Sequence, residues 1–144
     1  MCLSGLCLIG VLVTQPPFLM GGNASAASPA KAKAEPQGRA EAGRSVFNGK
    51  GVCYYCHGMD GYRDKLPQLA ADTAALIAQL NPQPTDLRNP KSLHLKTDKQ
   101  RARIIREGHP GTGMFPDTTM TDQELADTLA YLAQLRREGV FRKP

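Results

Sequence analysis

No stretch of this chain alternates apolar and polar side chains as a strand does, so a fold built on a sheet is not expected. Tryptophan is absent and aromatic residues make up 6% of the sequence, against 41% hydrophobic and 22% charged overall. That composition suits a soluble globular protein with a modest apolar core. No apolar run reaches the roughly 20 residues of a membrane-spanning helix, so no stable span is expected. Cysteine is scarce. Of the four, Cys2 and Cys7 lie in an apolar leader, and only Cys53 and Cys56 lie beyond it. With the leader removed a single pair is left, which excludes a disulfide framework for the fold. The Gly-rich loops lack the lysine context of a phosphate site, and no Ser–His–Asp or paired-carboxylate spacing is visible. The formal charge is +5, but Lys and Arg are interspersed with acids over most of the chain and no recognised nucleic-acid motif appears. Nucleic acid is therefore not an expected partner. The 144 residues allow one domain and not two ordinary ones.

The leader is an apolar run over residues 3–13, interrupted at Gln15-Pro16-Pro17 and followed by the small-x-small pattern Ala24-Ser25-Ala26. Residues 1–26 therefore read as a cleaved secretory signal, although no Lys or Arg precedes the run. Export to the periplasm or an equivalent compartment is the expectation. Lipidation at Cys7 is disfavoured by the bulk of Leu6. Residues 27–40, rich in Ala, Pro and Lys, read as a flexible tether, residues 41–139 as the folded domain and 140–144 as a tail.

The domain reads as all-α, with about four helices. Thr121-Asp122-Gln123-Glu124 has the form of a capping box, and Leu125, Leu129, Leu132 and Leu135 then recur at helical spacing. Arg136 and Arg137 favour the negative end of that helix, and Gly139 can stop it. Thr97 and Gln100 open an earlier helix with Ile104 and Ile105 on its buried side, ended by Gly108 and Pro110. A first helix is expected near residues 39–48, and an Ala-rich one from near Asp72 to Leu80, stopped at Asn81-Pro82.

The most specific signal is Cys53-Tyr54-Tyr55-Cys56-His57, a Cys-x-x-Cys-His run of the kind that attaches a c-type haem. Two thioether bonds to the haem vinyl groups need two thiols at a fixed separation, and the adjoining His57 then offers its imidazole to the iron. A redox dithiol would call for a strand-to-helix context, and a zinc site for a second ligand pair; neither is present. One covalently attached haem c is the expected cofactor, with Cys53 and Cys56 holding it and His57 as a metal ligand. Attachment needs reduced thiols in a compartment that favours oxidation, so maturation depends on a dedicated attachment system.

The iron's sixth position needs another donor. Met59 is two residues past His57, too near to reach the opposite face of the ring. Met120 immediately precedes the capping box and suits an apolar lid or staple. Met114 follows the loop Gly108-His109-Pro110-Gly111-Thr112-Gly113, which has the freedom to carry a thioether across the haem. Met114 is the expected second metal ligand, a pairing that favours ferrous iron and raises the potential. His94 and His109 are alternative donors, His109 the better placed, but lone histidines in basic loops are more often solvated.

Residues 41–138 resemble a class I cytochrome c of the small bacterial type. The resemblance rests on Gly43 and Phe47, the haem motif with Gly58, Leu80-Asn81-Pro82-Gln83-Pro84-Thr85-Asp86-Leu87, Ile105-Arg106-Glu107-Gly108, Pro110-Gly111-Thr112-Gly113-Met114 and Leu129-Ala130-Tyr131-Leu132. It implies helices packed around one haem, with the first and last crossing closely where Gly43 admits Tyr131. It also implies a proline carbonyl bonded to the outer nitrogen of the axial histidine, from Pro84 or else from Pro67 in Leu66-Pro67-Gln68-Leu69, and it brings Leu87 to the cofactor. Two departures stand out. Phe115 separates Met114 from Pro116, and Thr128 occupies a commonly apolar position of the last helix.

An iron with both axial positions filled changes oxidation state with little rearrangement and does not readily bind a small molecule. The expected function is single-electron transfer between redox proteins, with no substrate chemistry of its own. A dedicated subunit or docked acceptor of one dehydrogenase or terminal reductase is the alternative. A haem enzyme or gas-binding module would instead need a displaceable sixth ligand. Arg88, Lys91, Lys96, Lys99, Arg101, Arg103 and Arg106 face one acid, Asp98, over the stretch leading to the Met114 loop, which would suit an acidic docking partner or a solvated helix face. Asp60 and Asp64 read as solvated surface residues.

Overall fold

The computed structural model describes residues 36–140. The leader over residues 1–26, the first part of the tether (27–35) and residues 141–144 of the tail lie outside the described residues. The described residues hold five α-helices: α1 (Ala40–Phe47), α2 (Tyr54–His57), α3 (Ala71–Ala78), α4 (Asp98–Glu107) and α5 (Asp122–Val140). Short 3₁₀ turns occur at Met59–Gly61 and Pro90–Ser92, and no strand is present among the described residues. The all-α expectation holds. The additional helix, α2, is the haem motif itself. No helix among the described residues is long and apolar enough to cross a membrane.

Both capping boxes form. Thr97 Oγ1 accepts from the Gln100 amide at 3.2 Å while Gln100 Oε1 accepts from the Thr97 amide at 3.0 Å. Thr121 Oγ1 and Glu124 Oε2 do the same at the start of α5, at 3.2 and 2.8 Å. These exchanges satisfy amides that have no partner within the helix. α4 stops at Gly108, as its sequence implies, whereas α5 runs through Gly139, which lies flush on the backbone of Arg88.

α1 and α5 form the structural frame. A Cβ on Gly43 would stand 1.9 Å from the carbonyl oxygen of Asp127, so only glycine allows the two backbones this close. Gly43 meets the α5 backbone at Asp127 and Thr128, and one turn further along α5 Tyr131 packs edge-on against Phe47, ring centroids 5.5 Å apart. The last residues of the expected tether also belong to the fold. Arg39 N–H donates to Asp127 Oδ1 at 2.7 Å, the Gln37 carbonyl accepts from Gln123, and Gly38 is pressed against Ala126. Polar contacts with α5 anchor these residues where no apolar periodicity marks them.

The apolar core of the described residues consists of two small clusters. Phe47, Tyr131 and Leu135 form one; Val46, Ile105 and Met120 form the other. Met120 is thus a core residue at the foot of α5. Thr128 is buried at 1% exposure, and its hydroxyl donates to the Glu124 carbonyl at 2.8 Å, so a polar residue is accommodated without an unsatisfied group. α3 buries none of its residues, and Leu76 on it is 67% exposed. So few buried side chains form a thin core for a domain of this size, and a large flat apolar ligand would complete it.

Candidate functional site

Cys53 and Cys56 are free thiols, both half-buried, Cys53 at the N-cap of the single turn of α2 and Cys56 within it. The turn after His57 is made by Gly58 at φ +79°, where a Cβ would stand 1.8 Å from the Tyr62 carbonyl oxygen. Burial, with a smaller contribution from the Asp117 charge, pushes the Cys53 thiol up to about 12, and burial also raises Cys56. Uncharged thiols are the reverse of what a reactive redox dithiol requires.

His57 Nδ1 lies 2.9 Å from the carbonyl oxygen of Thr85. A carbonyl only accepts, so Nδ1 carries the proton and Nε2 keeps its lone pair, the form that ligates a metal. Burial pushes the imidazole below its usual value, a trend the Arg63 charge reinforces and the Thr85 bond partly opposes. The carbonyl that fixes the ring is therefore not that of Pro84 or Pro67. Any backbone carbonyl accepts equally well, and the chain's path around the ring selects Thr85, while Pro84 and Pro67 line a second cleft together with Cys56.

His57, Cys53, Leu87 and Met114 line a common cleft of about 320 Å³, with Ile104 and Leu132 among its apolar walls. Ligand sites typically measure about 300–1,000 Å³. The loop that carries Met114 is closed by its own hydrogen bonds: His109 N–H to the Met114 carbonyl at 2.9 Å, and Met114 N–H to Thr112 Oγ1 at 3.1 Å. Phe115, inserted before Pro116, points outward and is 67% exposed, so it leaves Met114 in the cleft. His94 and His109 lie at the same cleft, both exposed. Met120 is in the core and Met59 begins the turn after α2. The residues present fit a covalently held haem: two adjacent neutral thiols, an oriented imidazole with a free Nε2, and a thioether in one largely apolar cleft.

Two residues read from the sequence as surface groups are structural. Asp60, at φ +53°, accepts two bonds from Arg44 at 2.7 Å, one from Asn48 Nδ2 at 2.6 Å and one from Tyr131 OH at 3.0 Å. The Arg44 guanidinium holds its carboxyl well below the usual carboxylate range, and Asn48 and Tyr131 act in the same direction. Asp60 thereby ties the segment after the haem motif to α1 and α5. Arg88 is buried, stacked on Tyr62 at 3.9 Å and bonded to the Asp60 carbonyl and to Glu138. It is thus withdrawn from the basic stretch. Arg101 pairs with Asp98, Arg103 with Glu107 and Arg106 with Asp122, whereas Lys91, Lys96 and Lys99 are exposed and have no acidic partner among the described residues.

The family model for cytochrome c matches residues 40–136, which is more than half of the chain. A solved chain titled "Kuenenia stuttgartiensis reducing HAO-like protein complex Kustc0457/Kustc0458" is similar at 26% identity and a TM-score of 0.51, over 76% of this chain and 48% of that one. The present chain thus spans about half the length of that relative. No curated protein matches.

Proposed function

Because this chain belongs to the cytochrome c family, and with it carries a covalently bound haem for electron transfer, we propose that it is an exported single-haem carrier with histidine and methionine as axial ligands. The haem supplies a reversible one-electron iron couple. Cys53 and Cys56 would attach it and His57 and Met114 would ligate it, with the Thr85 carbonyl orienting the His57 ring. The observation that carries this reading is the placement of His57, with Nδ1 fixed on Thr85, in one cleft with Cys53 and Met114. One Cys-x-x-Cys-His run argues for one haem. With His57 and Met114 both given to holding the iron, no open position would remain for a substrate, and the residues of the cleft would hold and orient the group instead of catalysing a reaction.

The partner reads as a redox protein with an acidic face, docking on Lys91, Lys96 and Lys99. A second reading has a specific observation in its favour: the solved chain this one resembles belongs to a complex, and the match covers only half of that chain. A fixed place as a subunit of a redox enzyme fits that as well. The test is purification of the matured protein from its native compartment, followed by stopped-flow reduction by the fraction that reduces it. A free carrier elutes alone and exchanges electrons at a rate that falls as salt rises. Constant co-elution with one enzyme favours the subunit. Tight carbon monoxide binding by the native ferrous protein would refute both readings in favour of a gas-binding module.

A further inference from the structure

The loop that carries Met114 is shaped by its own hydrogen bonds and fixed at its base, where Asp117 N–H donates to the Ile105 carbonyl at 2.8 Å. Its tip is met by a different element. Gly108 and Gly111 turn the loop at φ +78°, but Gly113 has no positive φ that would call for glycine. A Cβ there would stand 2.9 Å from Leu80 Cδ1 and closer still to Cδ2, so the isobutyl group of Leu80 packs directly on the residue before Met114. Leu80 is itself held at the end of α3. Its N–H donates to the Ile77 carbonyl at 3.2 Å, and its carbonyl accepts from Gln83 Nε2 at 2.7 Å. The same Gln83 amide donates to the Ala78 carbonyl at 2.9 Å, closing a helix end whose last carbonyls have no partner within the helix. Two residues further on, the Thr85 carbonyl receives the His57 ring.

We infer that residues 80–85 act as one clasp on both iron ligands: Thr85 orients His57, while Leu80, steadied by Gln83, holds the Met114 loop shut. Leu80 and Gln83 are positioning residues. The inference rests on the haem reading above and adds to it what keeps the sixth ligand in place. A thioether favours ferrous iron, so in the ferric state the loop needs support from outside the iron–sulfur bond. Core packing does not account for α3, which buries none of its residues. Delivery of Leu80 to Gly113 does.

The test is competition by imidazole for the sixth position of the matured ferric full chain at pH 7, followed through loss of the far-red sulfur–iron band. An added ligand binds only when the loop is open, so its apparent affinity rises in proportion to the open fraction. Leu80→Ala removes the three side-chain atoms that a Cβ on Gly113 would meet, and Gly113→Ala drives a methyl into them. Each should tighten imidazole binding about fivefold. Combined, they should tighten it by clearly less than the product of the two effects, because the added methyl fills the space the isobutyl group left. A general loosening of the fold would give the product and not this compensation. Gln83→Ala, at an exposed position, should act in the same direction by about twofold and decides the matter if the other variants do not mature. Affinities equal to the parent's, or a double variant at the plain product, would overturn the inference. A parent without covalently held haem, or without the far-red band, would instead sink the haem reading before any variant is compared.

Discussion

Asp60→Ala is the perturbation whose cost the structure specifies most fully. It deletes a carboxylate that accepts from Arg44, Asn48 and Tyr131. Arg44 is 59% exposed, so its ion pair is worth at most about 1 kcal/mol. Tyr131 is only 2% exposed, and leaving its hydroxyl without an acceptor costs about 1–3 kcal/mol. Alanine at φ +53° adds roughly 1 kcal/mol of backbone strain. The expected loss is about 2–5 kcal/mol in denaturant unfolding of the holoprotein at pH 7. Asp60→Asn tolerates the backbone and keeps one acceptor, so it should cost only about 1 kcal/mol. Tyr131→Phe combined with Asp60→Ala should be less destabilising than the two losses added, with a coupling of about 1–2 kcal/mol, because the orphaned hydroxyl is gone. Strict additivity, or an Arg44→Ala variant that costs more than Asp60→Ala, would refute the assignment of Asp60 as the tie between the haem segment and the α1–α5 pair.

Gly43→Ala places a carbon 1.9 Å from the Asp127 carbonyl, and as both partners are helix backbone the pair must separate. Calorimetry of the holoprotein should show a loss of at least about 1–3 kcal/mol, the usual range for overpacking. Glu124 is held down to about 2, chiefly by Lys50 and then by the Thr121 amide. Since its folded value is depressed, the stability it contributes is present above about pH 4.5 and is lost as pH falls towards 2. NMR titration of Lys50→Ala should show the Glu124 carboxyl moving back up, and no movement would contradict the pairing. Replacing Lys91, Lys96 and Lys99 together with Glu should slow association with an acidic partner severalfold and flatten its salt dependence. An unchanged rate would remove the lysines from the docking face.

What was legible in the sequence was local. Thr97 with Gln100, and Thr121 with Glu124, lie three residues apart and close the same boxes wherever the helices are packed. Cys53, Cys56 and His57 are likewise carried on one turn. What was not legible depends on distant partners. Asp60 finds Asn48, Arg44 and Tyr131 at separations of 12, 16 and 71 residues, and nothing beside it distinguishes it from a solvated acid. Arg88 looked like part of a basic surface, yet it bonds to residues 28 and 50 positions away and is buried. The family resemblance pointed to the Pro84 carbonyl, or else that of Pro67, for His57, but a backbone acceptor is chosen by the path of the chain and not by the side chain, and the path brings Thr85 there. Only one clue to Asp60 lay in the sequence: Asp tolerates the left-handed backbone that the turn after Gly58 demands.

The central claim is a haem tied to Cys53 and Cys56 with iron between His57 and Met114. It is tested most directly by absorption spectra of the matured protein and its Met114→Ala variant, oxidised and reduced, before and after extraction with acidified organic solvent. Colour that stays with the protein in both, with the far-red ferric band of a sulfur–iron bond present in the parent and lost in the variant, is the predicted result. Colour that leaves with the solvent, or a band that survives the loss of Met114, would contradict it.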